Sequence, residues 1–207
     1  MVESGMRVLP LTENSATRIF SEAREIIRRG GIVAYPTESS YALGVLATDE
    51  RSVRKLFELK KRPGGKPVPL IAGDRMILLS VVQSIPQQAE YYMDRYWPGP
   101  LTLVFNARDG IPPLLTGGTG KVAVRIPGAG PALDLARCLQ LPATATSANL
   151  SSLPPAEDAE AVAGYFQDEI DLIIDGGRTP GGRPSTILDV TVDPPRVLRE
   201  GRVVLRD

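Results

Sequence analysis

Residues 30–45 read Gly30-Gly31-Ile32-Val33-Ala34-Tyr35-Pro36-Thr37-Glu38-Ser39-Ser40-Tyr41-Ala42-Leu43-Gly44-Val45. The double glycine ends a helical pattern, Ile32 to Tyr35 is a short apolar strand stopped by Pro36, and Tyr41 to Val45 is a second extended run. Upstream, Thr12 to Arg29 puts Ile19, Ala23, Ile26 and Ile27 on one helical face, with Thr12 available as a cap. Downstream, Asp49 can cap a helix whose Val53, Leu56 and Phe57 face inward until Pro63 and Gly64-Gly65 break it. Helices and strands therefore alternate from the start.

The alternation continues. Val68 to Ala72, Leu101 to Phe105, Val122 to Ile126, Ala143 to Thr146, Ile170 to Ile174, Thr186 to Val190 and Val197 to Leu198 read as strands. Ile77 to Val82, Pro86 to Trp97, Ala132 to Leu139 and Ala156 to Phe166 read as helices, and Ile111 to Gly120 as a loop. This order predicts an α/β three-layer fold with a mixed sheet flanked by helices, because the spacing is too irregular for pure βαβ repetition. With 207 residues and prolines and glycines spread among the turns, one domain over residues 1–207 is expected.

Composition narrows the chemistry. The chain has no histidine and one cysteine, Cys138. Imidazole general bases, Ser-His-Asp triads, His-ligated metals and internal disulfides are excluded. A single thiol, no long apolar run and no basic, apolar leader predict a cytoplasmic protein without a membrane segment. The 24 Lys+Arg balance the 24 Asp+Glu, yet the charges are segregated. Arg51 to Lys66 holds seven cations against Glu58 alone, while Glu157 to Asp175 holds seven anions and no cation. The first segment suits an anionic partner and the second a solvated face.

Two apparent phosphate motifs fail. Gly117-Gly118-Thr119-Gly120-Lys121 has Leu115 where a P-loop needs its first glycine, and a strand follows. Gly128-Ala129-Gly130 has Leu133 at the third glycine position of a dinucleotide fingerprint. The stronger signal lies at strand ends: Pro36 to Tyr41, Lys60 to Pro67, Thr146 to Asn149 and Pro184 to Thr186. Singly, each has a plain structural alternative. Lys60 and Arg62 could complement a helix dipole, Thr37 and Ser147 to Asn149 could be turn residues, and Arg125 and Arg199 could be surface ion-pair partners.

Together these residues resemble the YrdC-like family of threonylcarbamoyl-AMP synthases. The resemblance rests on Pro36-Thr37-Glu38 with Tyr41 and Gly44, Lys60-x-Arg62-Pro63 with Lys66-Pro67, Trp97-Pro98-Gly99-Pro100-Leu101-Thr102, Val122 to Pro127 with Arg125, Thr146-Ser147-Ala148-Asn149, and Ser185 to Asp189 with Arg199-x-Gly201. It runs from about Gly30 to Gly201. It implies a YrdC-like fold with a twisted sheet, and a reaction in which L-threonine, bicarbonate or CO2, and ATP give threonylcarbamoyl-AMP and pyrophosphate for tRNA threonylcarbamoyladenosine. Such chemistry needs positioning and positive charge more than a protein base.

The resemblance also implies roles. Lys60 and Arg62 would be catalytic and hold the triphosphate, with Ser147, Asn149 and Arg199 on the nucleotide. Thr37, Lys66, Arg125 and Ser185 would bind L-threonine, although the family varies at the position of Lys66. Mg2+ is expected through the phosphates and waters, with no metal site on the protein itself. Partners would be the downstream tRNA threonylcarbamoyl transferase complex and, through the cationic surface, tRNA or double-stranded RNA. The resemblance is to the short form, without the further C-terminal domain of longer synthases. Ser39, Ser40 and Ala42 depart from the commonest residues beside Thr37, which bears on the amino-acid pocket. The competing expectation is a non-catalytic RNA-binding relative of the same fold.

Overall fold

The computed structural model describes residues 5–205. Eleven strands and seven α-helices follow in the order β1 (Arg7–Pro10), α1 (Ala16–Arg28), β2 (Val33–Pro36), β3 (Tyr41–Gly44), α2 (Glu50–Leu59), β4 (Leu70–Ile71), α3 (Arg75–Leu79), α4 (Gln87–Tyr96), β5 (Leu101–Asn106), α5 (Pro113–Thr116), β6 (Lys121–Arg125), α6 (Pro131–Leu139), β7 (Ala143–Thr144), β8 (Thr146–Ser147), α7 (Ala159–Phe166), β9 (Leu172–Asp175), β10 (Thr186–Asp189) and β11 (Arg196–Arg199).

The mixed α/β organisation is as the sequence predicts, but the strands form two sheets rather than one. One sheet runs β1-β9-β2-β3-β8 and the other β11-β10-β5-β6-β4-β7. The division falls inside the single strand expected over Ala143 to Thr146. Thr144 pairs with Leu70 of the second sheet, whereas Thr146 pairs with Leu43 of the first. Between them the Ala145 amide bonds to the Pro69 carbonyl at 2.8 Å. The chain therefore crosses from one sheet to the other within a few residues and pins both to one seam.

Thr144, fully buried, reinforces that seam. Its hydroxyl donates to the Leu43 carbonyl and accepts from the Val45 amide, both at 3.0 Å, and its carbonyl accepts from the Tyr35 hydroxyl at 2.9 Å. Burial pushes the Tyr35 phenol far above its ordinary pKa, so it stays a donor. Gly44 is required here, since a Cβ would sit 2.9 Å from the Tyr35 ring.

β2 and β3 are buried on both faces, which is why their sequence is a continuous apolar run. Ala34 and Leu43 join the larger core with Leu70, Leu101, Phe105 and Val124, while Val33, Tyr35 and Ala42 pack on α1 and α6 through Ile19, Ile27 and Leu135. α1 starts at Ala16 rather than Thr12, because Thr12 and Ser15 form a turn in which Thr12 O accepts from the Ala16 amide at 2.9 Å. α2 is capped as expected, with Asp49 accepting from the Ser52 amide at 3.1 Å. The expected loop from Ile111 to Gly120 carries the short helix α5, and the strand β1, which pairs in parallel with β9, has no counterpart in the sequence reading. Among the described residues no helix is long and apolar enough to cross a membrane.

Candidate functional site

The inward face of α2 has a four-residue logic: Val53, Leu56, Phe57 and then Lys60 follow the i, i+3, i+4, i+7 spacing. Lys60 is accordingly only 1% exposed. Its ammonium donates to the Ser147 carbonyl, to the Asn149 carbonyl at 2.6 Å and to Asn149 Oδ1 at 3.3 Å. Burial, with the Arg62 charge adding, pushes its pKa down to about 7. Lys60 thus braces the turn after β8 from below.

The next residue turns the chain around. Lys61 has φ 49°, and the Lys61 and Arg62 amides bond back to Glu58 O at 3.0 Å and Phe57 O at 2.9 Å, the paired pattern that terminates helices in a left-handed residue. This reversal sends Arg62 away from the core. Its guanidinium donates to Pro67 O at 2.8 Å and Lys66 O at 3.3 Å and lies 5.9 Å from the Phe57 ring centre. Burial lowers the Arg62 pKa, but a guanidinium remains charged.

Arg62 faces a cavity of about 220 Å3 at the seam of the two sheets. Thr37, Arg125, Ser147, Ser185 and Arg199 line the same cavity, so six of the nine residues singled out from sequence converge. Lys60, Lys66 and Asn149 do not line it. Asn149 lies just behind Ser147, whose hydroxyl donates to Asn149 Oδ1 at 2.6 Å. Lys66 is exposed in the loop before β4 and contributes its carbonyl to Arg62.

Each lining group is fixed locally. Thr37 closes the β2–β3 turn, its hydroxyl donating to Ser40 O at 2.7 Å and accepting from the Ser39 amide at 3.2 Å. Arg125 ends β6, where Val122 and Val124 point to the core and Ala123 and Arg125 to the opposite face. It is 8% exposed and ion-paired with Glu38. The Ser185 hydroxyl shares a 2.8 Å hydrogen bond with Thr102, and Arg199 donates to Ser185 O at 2.8 Å and Ser185 Oγ at 3.2 Å. Arg199's pKa is lowered by burial and by Arg125's charge. Gly201 allows this arrangement because its amide reaches Thr186 Oγ1 at 3.1 Å where the backbone at Pro184 leaves no room for a Cβ.

Sequence reasoning assigned no role to two residues of this region, Thr102 and Glu38. Thr102 had a usable signal: it is the polar position of a strand whose Leu101, Leu103 and Phe105 are buried. Glu38 is seen only through its partner 87 residues away. Ser39, Ser40 and Ala42 also line the cavity, so the departures from the family pattern fall on its wall.

Three guanidiniums and a set of hydroxyls thus face one small volume with no carboxylate of the described residues on its wall. Beyond Pro69, which borders both, a more apolar groove of about 390 Å3 runs over the open face of the second sheet, lined by Pro67, Val104, Ala123, Ile187 and Leu198. The arrangement can hold a polyanion beside a small polar molecule. Among the described residues no group of three or more Cys, Asp or Glu could hold a metal ion. Gly117 to Lys121 leads into a strand, and Lys121 pairs with Asp189 at 3.0 Å.

The chain is similar in sequence and fold to known proteins. The family described as "Telomere recombination", Sua5_yciO_yrdC, matches residues 25–201. Threonylcarbamoyl-AMP synthase of Pyrococcus abyssi is 42% identical over 89% of this chain, which spans about half, 54%, of that relative's length. The enzyme of the same name from Idiomarina loihiensis is 39% identical over 81% of this chain and 91% of its own. A crystal structure of P. abyssi Sua5 complexed with L-threonine superposes with a TM-score of 0.87 at 39% identity, covering 95% of this chain and 57% of that one. The chain belongs to the Sua5/YciO/YrdC family.

Proposed function

We propose that this protein is a threonylcarbamoyl-AMP synthase, carboxylating the amine of L-threonine and joining the carbamate oxygen to the α-phosphate of ATP with release of pyrophosphate. The observation that carries this reading is the convergence of Arg62, Arg125 and Arg199 with Thr37, Ser147 and Ser185 on one cavity. A cavity of about 220 Å3 suits an amino acid and the reacting groups, and is smaller than the usual pocket for a nucleotide-sized ligand. The adenosine of ATP would extend along the neighbouring apolar groove that shares Pro69.

In this reading Arg62 and Arg199 carry the phosphates, where negative charge spreads during transfer, and Arg125 takes the threonine carboxylate. Thr37, Ser185 and Thr102 offer hydroxyls to the polar groups of threonine. Lys60 acts by holding the Ser147 and Asn149 carbonyls, which fixes the backbone turn that places Ser147 on the cavity wall. Among the described residues no carboxylate lines the cavity, so Mg2+ would be held by the triphosphate's own oxygens and water, where it would neutralise phosphate charge. The reaction fits a single domain working in the reducing cytoplasm and feeding a tRNA-modifying transferase.

Pyrophosphate release tests the proposal. Release from ATP should require both L-threonine and bicarbonate. Equal release with either omitted would overturn it.

A further inference from the structure

Among the described residues Arg62 and Arg199 donate to carbonyl and hydroxyl oxygens and pair with no carboxylate, whereas Arg125 pairs with Glu38. Three guanidiniums in one cavity would otherwise attract any anion, and the triphosphate would compete for all three. Among the described residues Glu38 is the one carboxylate in contact with them. It sits on the β2–β3 turn of one sheet while Arg125 ends β6 of the other, so the pair bridges the two sheets with Arg125 on the cavity wall and Glu38 off it. Glu38 Oε1 takes the ion pair, and Oε2 accepts no hydrogen bond from any described residue.

We infer that Glu38, paired with Arg125 from off the cavity wall, offsets the charge of that guanidinium, leaving Arg62 and Arg199 as the anion-binding side and making the Arg125 side selective for a zwitterionic α-amino acid over plain anions. The inference rests on the proposed synthase reading and names the residue that sets its amino-acid specificity. A plain carboxylate arriving at Arg125 meets the like charge of Glu38, and an α-amino acid brings an ammonium that offsets it. Phosphate is repelled from the Arg125 side and remains with Arg62 and Arg199. Glu38 acts through Arg125 and is a positioning and specificity residue.

The test is calorimetric titration of the whole chain with L-threonine and with (R)-3-hydroxybutanoate, which is L-threonine without its ammonium. The wild type should prefer L-threonine. Glu38→Gln should weaken L-threonine about tenfold and tighten (R)-3-hydroxybutanoate, so that the preference collapses, and Glu38→Asp should restore it. Opposite movements separate this role from a prop for Arg125, whose loss would weaken both ligands together. Parallel weakening, or no change in either ligand, would overturn the inference. A measurement on the wild type stands apart from any variant: inorganic phosphate in excess should leave L-threonine affinity unchanged, and competition between them would also overturn it. If the wild type bound no L-threonine at all, the synthase reading would fail first.

Discussion

Lys60 offers a test in which structure sets both the sign and the size of the effect. In the unfolded chain its amine titrates at the ordinary value of 10.5, and in the fold burial pushes it down to about 7. Between those values the unfolded state binds more protons than the folded one, so stability rises with pH across the window. Below about pH 7 the ammonium is buried at full cost, and above about 10.5 the dependence ends. A depression of that size corresponds to about 5 kcal/mol over the whole window, at ~1.4 kcal/mol per unit. Integrated from pH 7 to pH 9, Lys60 contributes about 2 kcal/mol. Lys60→Met removes the titrating group while keeping its length and apolar stem. Urea unfolding of wild type and Lys60→Met at pH 7, 8 and 9 gives the difference between them, in which other titrations cancel. That difference should shift by about 2 kcal/mol in favour of the wild type between pH 7 and 9. A flat difference would refute the reasoning: the three oxygen acceptors at Ser147 and Asn149 would then outweigh burial and keep the ammonium charged throughout.

Arg62→Gln should lower pyrophosphate release at least 100-fold while leaving the unfolding midpoint within about 0.5 kcal/mol of wild type, because its partners are loop carbonyls near solvent. Lys61→Gly should stabilise the protein by about 1 kcal/mol, relieving a side chain held at φ 49°, and raise the thermal midpoint by roughly 2–4 °C. Thr144→Val should cost about 1–3 kcal/mol in urea unfolding, since it strands the Val45 amide at the buried seam and takes one of two donors from the Leu43 carbonyl, which stays paired with Thr146.

What the sequence could reveal of this site follows from how local each cause is. Arg62 could be picked out because it stands at a helix stop beside a strand, where ligands gather, whereas Arg125 and Arg199 stood out only through the family resemblance. Lys60 was harder. As one of three consecutive cations it reads as a solvated helix end, yet its spacing from Val53, Leu56 and Phe57 puts it on the buried face, and only the oxygens of Ser147 and Asn149 make that tolerable. The sheet change at Ala145 left no trace, because Ala143 to Thr146 has ordinary strand composition and the break is imposed by Pro69 from another element. β1 escaped notice since Arg7 to Pro10 alternates over too few residues and finds its order only against β9. Glu38 belongs to the same class: its role depends on a partner brought in from the second sheet.

The central claim is that bicarbonate carbon ends between threonine and AMP. Incubating the protein with ATP, Mg2+, L-threonine and 13C-bicarbonate, and reading the products by mass spectrometry, tests it directly. The account predicts an adenylate containing one threonine and one labelled carbon, absent when Arg62 is replaced by Gln. AMP and pyrophosphate formed without labelled carbon, whether by hydrolysis or as a threonyl adenylate, would contradict it.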